Sequence, residues 1–265
     1  MPVTELASVD GRITPTAEAT IPLKDDGLYR GDGVFEVIRL YGGRPFALAE
    51  HMERIERSAA AIELPAQRAE LEPEIHTLLE AHGDADAQLR LLVTRGGRRI
   101  ALIEQLVEHL PSVSLATVTY TPTLILNGVK SLSYGANMQA TRIAKGGGAD
   151  EALLVRPDDV VLEAPTSTIF WVSDGELRTP ALGAGILDSI TRRIVVAALP
   201  VAEGEYAISD LLGASEVFLA STVREIQPVS AIDGVAFDPG PRTEEAQEAF
   251  AKAIAQAMGT PATTA

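Results

Sequence analysis

The chain has 265 residues, 46% of them hydrophobic and 22% charged, enough for one large globular domain or two modest ones with their own cores. It contains no cysteine, which excludes disulfides, thiolate metal sites and thiol nucleophiles. A formal net charge of -15 argues against a nucleic-acid surface or an anionic membrane as partner. No apolar run reaches the length of a membrane span, and the start, MPVTELASVDGRI, lacks the basic and apolar regions of a signal peptide, so a soluble cytoplasmic protein is expected.

In chain order, Gly33–Tyr41 is rich in β-branched and aromatic residues and reads as a strand ended by a Gly42-Gly43 turn. Leu48, Met52, Ile55, Ala59 and Ile62 then recur at helical spacing, with His51, Arg54 and Arg57 among them, and Pro65 is expected to stop that helix. A second helix is expected over residues 70–81, a strand over 88–94 broken at Gly96-Gly97, and a further strand over 113–120. The pattern changes at Thr121-Pro122-Thr123, which reads as a linker. Beyond it the spacing predicts a helix over 134–145 with Gly146-Gly147-Gly148 as its C-cap. Short strands follow over 151–155, 160–162, 169–172 and 176–179, with turns at Asp158-Asp159 and Asp174-Gly175. Asp188 or Ser189 caps a helix running to Leu199, strands cover 216–219 and 226–232, and a last helix covers 243–258 before a Thr-Pro-Ala tail. The expected architecture is α/β (α+β) in two lobes: a smaller N-terminal domain over 1–120, a linker at 121–124 and a larger C-terminal domain over 125–265.

Only four basic residues are lysines, at positions 24, 130, 145 and 252. Lys252 belongs to an amphipathic helix, Lys145 complements a helix C-terminus, and Lys24 adjoins Asp25 and Asp26, so each reads as a surface charge. Lys130 ends the apolar run Leu124-Ile125-Leu126-Asn127-Gly128-Val129 just before a helix. Burial there depresses an amine pKa and leaves a neutral nucleophile for carbonyl chemistry; a snorkelling lysine is the alternative. Ser189-Ile190-Thr191 opens a helix, Ser221-Thr222 follows a strand, and Arg54 lies on a helix face, all suited to an anion such as phosphate; an N-cap, turn residues and a surface charge are the plain alternatives. Glu163 ends a short strand before Ala164-Pro165, either as a surface charge or as the partner of a protonated pyridine nitrogen. Gly31-x-Gly33 lacks the third glycine of a dinucleotide fingerprint.

Read together, these segments resemble the class IV (fold-type IV) pyridoxal-phosphate aminotransferases, the group of D-amino-acid aminotransferases, branched-chain aminotransferases and aminodeoxychorismate lyases. The resemblance runs from about Leu28 to Gly234 and keeps the family's order: Arg30-Gly31-Asp32-Gly33-Val34-Phe35-Glu36, the H-x-x-R of His51 to Arg54, the lysine segment Val129 to Tyr134, Ala149 to Leu154, Gly185-Ile186-Leu187-Asp188-Ser189-Ile190-Thr191-Arg192, and Ser221-Thr222 with Glu225 to Val229. It implies a two-domain fold, pyridoxal 5'-phosphate as cofactor, and Lys130 as the Schiff-base lysine and proton carrier. It further implies Glu163 at the pyridine nitrogen, and Arg54, Ser189, Ile190, Thr191, Ser221 and Thr222 at the phosphate. Tyr134 is expected at the 3-hydroxyl or as a packing residue. A homodimer is implied in the same way.

Three departures bear on the substrate. Arg30 stands where many members have tyrosine, Arg90 interrupts an apolar strand, and Arg98 lies in a loop where some members carry basic residues, although Ile100 replaces the histidine of their R-x-H. Arg30 and Arg90 are expected to clamp a substrate α-carboxylate with Arg98 beside them, or else each pairs with one of the chain's many acids. A transaminase exchanging amino groups between an amino acid, D slightly favoured, and a 2-oxo acid is the leading expectation. A pyruvate-releasing lyase, a branched-chain L-amino-acid aminotransferase and a non-catalytic cofactor-binding relative are the alternatives.

Overall fold

A computed structural model describes residues 5–65 and 68–259, so the Thr-Pro-Ala tail lies outside the described residues. The chain groups into two compact units: among the described residues, the first holds 5–107, 129–134 and 257–259, and the second holds 108–128 and 135–256. The division therefore leaves the first unit at Val107, before the expected linker at 121–124, and returns the segment Val129–Tyr134, with Lys130, to the first unit.

The first unit contains β1 (Leu6–Val9), β2 (Arg12–Pro15), α1 (Asp26–Arg30), β3 (Gly33–Tyr41), β4 (Arg44–Pro45), α2 (Leu48–Ala61), α3 (Arg68–His82), β5 (Ala87–Thr94) and β6 (Arg99–Glu104). Its strands pair antiparallel in the order β2-β1-β6-β5-β3-β4. Alternation along β3 sends Val34, Ile38 and Leu40 into a core shared with Met52, Ile55 and Ala59 of α2, Leu71, Ile75 and Leu78 of α3, and Leu89, Leu91 and Val93 of β5. The helix α2 stops before Pro65 because Glu63 takes a left-handed φ of 53°. The Leu64 and Glu63 N–H groups then turn back onto the Ala59 and Ala60 carbonyls at 2.8 and 3.1 Å, closing the helix as a Schellman motif.

The second unit contains β7 (Val113–Thr119), α4 (Gly135–Gly146), β8 (Glu151–Val155), β9 (Thr168–Ser173), β10 (Glu176–Pro180), α5 (Ile190–Ala198), β11 (Val201–Gly204), α6 (Ile208–Leu212), β12 (Glu216–Ser221), β13 (Glu225–Ile232), β14 (Val235–Ala236) and α7 (Pro241–Ala257, all but its last residue). Its sheet runs β11-β10-β9-β12-β13-β7-β8, with β14 beside β13. The β10–β11, β13–β7 and β7–β8 pairs are parallel and the rest antiparallel. Leu153, Ile169, Trp171, Val217, Leu219 and Val229 fill one core, and Ala140, Ala144, Ala152, Leu154 and Leu162 form a second under α4. The expected strand at 160–162 takes the form of isolated bridges, Val155 to Val161 and Val160 to Ala207, in an irregular pairing where Leu154 accepts from Leu162 N–H and donates to the Glu163 carbonyl, both at 2.9 Å.

Lys130 owes its place to an unfilled sheet edge. The strand β4 covers only Leu40 and Tyr41 of β3, which leaves the edge near Gly33 to Phe35 open. Residues 130–132 fill it: Phe35 N–H donates to the Lys130 carbonyl at 3.0 Å, Leu132 N–H donates to the Gly33 carbonyl at 2.9 Å, and Ser131 bridges Val34. The apolar run before Lys130 plays no such part. Leu124–Leu126 is a 3-10 turn whose Leu124 and Ile125 are 87% and 85% exposed. Gly33 is required by this close approach, since a Cβ there would lie 2.5 Å from the Val93 carbonyl oxygen and 2.6 Å from Leu132 Cδ1. Gly33→Ala is expected to destabilise the protein by about 1–3 kcal/mol in urea unfolding; a wild-type midpoint would show that the 130–132 segment is not packed this tightly.

Candidate active site

In the first unit the chemistry collects where β3 faces α2. Glu36 occupies the inward phase of β3 between Val34 and Ile38 and is fully buried. His51, Arg54 and Ser58 lie three and four residues apart on the buried face of α2. Arg54 Nε donates to Glu36 Oε1 at 2.7 Å and Nη2 to Oε2 at 2.6 Å, a two-point pair, while His51 Nδ1 lies 2.7 Å from Oε2. Burial alone would raise the Glu36 pKa. The Arg54 charge, with hydrogen bonds from Arg54 and His51, outweighs it and lowers the pKa from 4.5 to about 2. An ionised carboxylate only accepts, so His51 Nδ1 carries the proton of this bond. Burial drives the His51 pKa down against the pull of Glu36, and the Arg54 and Lys130 charges add to the depression, so the ring is neutral near pH 7.

One turn further along α2, Ser58 Oγ accepts from the Lys130 backbone N–H at 3.2 Å. The Lys130 side chain is half-buried, with Nζ 4.4 Å from the centroid of the Phe35 ring. Tyr134 packs edge-on against the same ring at 5.3 Å and 80°. Lys130 is thus held at its backbone by β3 and α2 and rests its amine on an aromatic face.

In the second unit Glu163 Oε1 accepts from Leu187 N–H at 3.1 Å, which ties it to the segment leading into α5. Burial, and then the Glu163 charge, raise the Tyr120 pKa. Of the two expected caps, Ser189 fills the role: its Oγ accepts from Arg192 N–H at 3.3 Å, while Asp188 pairs with Arg193. Ile190 and Thr191 follow, both buried, and Thr191 Oγ1 has no hydrogen-bond partner among the described residues. The helix α5 packs against β12, which ends at Ser221, and Thr222 lies buried in the turn to β13. That turn is braced by Arg224, which bonds Gln227 Oε1 at 2.5 Å and pairs with the carboxylate of Glu151.

The three arginines expected on the substrate side each have an acid of their own. Arg30, exposed at the end of α1, lies 3.7 Å from Asp26; Arg90 Nε bonds Glu104 at 2.8 Å; Arg98 pairs with Asp10. Arg90 does not interrupt the core: it falls on the outward phase of β5, opposite Val37 and on the same sheet face as Phe35. Arg98 lies across from Thr94, four residues farther along β5, about 13 Å at strand spacing. Glu36, Ser58, Glu151 and Arg224 were not singled out in the sequence. The signal for Glu36 was present, as a carboxylate in the inward phase of a strand facing a helix with His and Arg three apart.

The family of amino-transferase class IV matches residues 33–232. The chain is 32% identical to the D-alanine aminotransferase of Listeria monocytogenes, over 95% of this chain and 96% of that one. It is 30% identical to the aminodeoxychorismate lyase of Bacillus subtilis over 91% of each. The branched-chain aminotransferase of Thermoproteus uzoniensis, solved with norvaline, superposes with a TM-score of 0.87 at 29% identity, covering 97% of this chain and 95% of that one.

The buried carboxylate has a pH signature. A lowered carboxylate pKa contributes stability that is complete above 4.5 and disappears as pH falls toward 2. Removing one partner of such a buried pair costs about 3–5 kcal/mol. The stability gap between wild type and Glu36→Gln is therefore expected to be largest at neutral pH and to shrink below pH 4.5. A gap that stays constant down to pH 2 in denaturant titrations would contradict the ionised Glu36.

Proposed function

The chain belongs to the class IV aminotransferases, enzymes that use pyridoxal 5'-phosphate (PLP), and from that premise we propose that it exchanges an amino group between a D-amino acid and a 2-oxo acid. The observation that supports this most is Lys130, seated by β3 and α2 with its amine on the Phe35 ring beside the buried Glu36, His51 and Arg54.

The residues fit PLP. Among the described residues Thr191 Oγ1 is buried without a partner, at the first turn of a helix whose N–H groups favour an anion, as a phosphate acceptor would require. We assign the phosphate to Arg54, Ser189, Ile190, Thr191, Ser221 and Thr222, the last two held by the turn that Arg224 braces. When bound, PLP supplies an electron sink for charge developing at the substrate's Cα. Lys130 Nζ is the attachment point and moves the proton at that Cα. Glu163, fixed by the Leu187 N–H, keeps the pyridine nitrogen protonated. Tyr134, its ring packed on Phe35, would hydrogen-bond the 3-hydroxyl.

For the substrate carboxylate we assign Arg30 and Arg90, with Arg98 as helper. Arg90 has the strongest support, because it shares the Phe35 face and its ion pair among the described residues is with the partly exposed Glu104, which an incoming carboxylate can replace. The D preference rests on these arginines and on the likeness to the Listeria enzyme. A homodimer working in the cytoplasm is part of the proposal. The exposed Leu23, Leu28 and Tyr29 support a partner surface on the first unit, and among the described residues no helix is long and apolar enough to cross a membrane. The likeness to the Bacillus lyase supports pyruvate release from aminodeoxychorismate as the second reading.

Half-reaction spectra with D-alanine, L-alanine, D-glutamate and L-leucine test the proposal. The yellow cofactor band is expected to bleach fastest with a D-amino acid; faster bleaching by L-leucine overturns the D preference, and pyruvate released from aminodeoxychorismate without an amino acceptor selects the lyase. Arg30→Ala and Arg90→Ala are each expected to raise KM for the amino acid by about tenfold or more, the loss of a charge-assisted bond. An unchanged KM in both removes the arginine clamp.

A further inference from the structure

We propose that Glu36 is a positioning residue for the cofactor's phosphate, acting through Arg54, and that His51 in turn fixes Glu36. The inference rests on the assignment of Arg54 to that phosphate. Packing alone does not account for Glu36. It sits fully buried in a row of β3 otherwise filled by Val34, Ile38 and Leu40, where an apolar side chain would avoid the several kcal/mol that a buried ion costs. A guanidinium is planar, and the two-point bond from Nε and Nη2 to the carboxylate fixes both the direction and the plane of Arg54, and with them the plane in which its other N–H groups lie. The carboxylate could still rotate about its own axis. The His51 Nδ1–H on Oε2 removes that freedom, from the same face of α2 that carries Arg54.

The charges sharpen the claim. Glu36 cancels the charge of Arg54 and His51 is neutral, so the cluster has no net charge to offer a phosphate dianion. What it offers is an oriented set of donors whose ordering is complete before the cofactor arrives. A grip based on bare charge would tighten when Glu36 is neutralised, whereas a grip based on orientation loosens.

The test compares holoenzymes of wild type, Glu36→Gln, Glu36→Asp, His51→Asn, His51→Ala and Arg54→Ala, with Glu36→Gln also placed in the Arg54→Ala background. The readouts are the release rate of PLP, the 31P resonance of the bound cofactor, and binding of PLP against pyridoxal, which lacks the phosphate. Glu36→Gln is expected to weaken PLP retention by about tenfold or more, to move the 31P signal toward that of free PLP, and to leave pyridoxal affinity nearly unchanged. It is expected to add nothing once Arg54 is gone. His51→Asn, which keeps an N–H for the carboxylate, should retain PLP better than His51→Ala. Equal or tighter PLP binding in Glu36→Gln overturns the inference, and so does an equal loss of PLP and pyridoxal, the mark of a merely structural role. If Glu36→Gln does not fold, Glu36→Asp and His51→Ala must show the PLP-selective loss, and its absence in both overturns the inference. PLP retention unaffected by Arg54→Ala would instead sink the phosphate assignment itself.

Discussion

Everything proposed for Lys130 depends on a short stretch of borrowed sheet edge. The strand β3 is paired to β5 from Gly33 to Leu40, but β4 covers only the far end of its other side. Main-chain groups around Gly33 to Phe35 would go without partners if residues 130–132 did not meet them. The bonds are made by backbone, so they set the position of Lys130 whatever the surrounding side chains do. A mobile lysine on a loop would sample many positions, whereas one whose carbonyl and N–H are both held, at Phe35 and Ser58, has only its own side-chain torsions left to vary. Gly33 is the residue that admits so close an approach.

The two units manage charge by different means. The first unit buries a carboxylate, a guanidinium and an imidazole in one closed set of hydrogen bonds, where desolvation is offset only because every partner is present. The second relies on main-chain N–H groups and hydroxyls: Leu187 N–H on Glu163, Ser189 at the mouth of α5, and the buried Thr191 Oγ1 behind it. Its arginines serve as braces. Arg192 is tied to the Pro180 carbonyl and to Glu203, and Arg224 to Glu151 and Gln227, which keeps α5 and the turn after β12 in place.

Elements with a strong period were legible in the sequence. The apolar spacing of α2, the alternation of β3 and β5, and the glycines after α4 matched the structure to within a few residues because local pattern and tertiary burial agree there. Short elements such as β1, β2, β11 and α6 were not legible: β1 and β11 lean on β6 and β10, partners distant in sequence, and the β1–β2 hairpin is too short to show a period of its own. The apolar run before Lys130 was an incomplete reason to single it out: Leu124 and Ile125 are exposed, only Val129 packs on the core, and a pairing with residues almost a hundred positions earlier does the holding. Glu36 stood in the sequence only as the end of the Arg30 to Glu36 segment; its inward phase was legible, but its role needed the helix above it to bring His51 and Arg54 onto the carboxylate. The acids that pair with Arg90 and Arg98, Glu104 and Asp10, were not legible, since each is brought beside its arginine by strand pairing rather than by local sequence.

Borohydride reduction of the holoenzyme followed by peptide mapping tests the central claim most directly. With four lysines in the chain, the reduced cofactor label is predicted on the peptide containing Lys130, and absent altogether from Lys130→Ala. Label on Lys24, Lys145 or Lys252, or a reducible adduct persisting in Lys130→Ala, would contradict it.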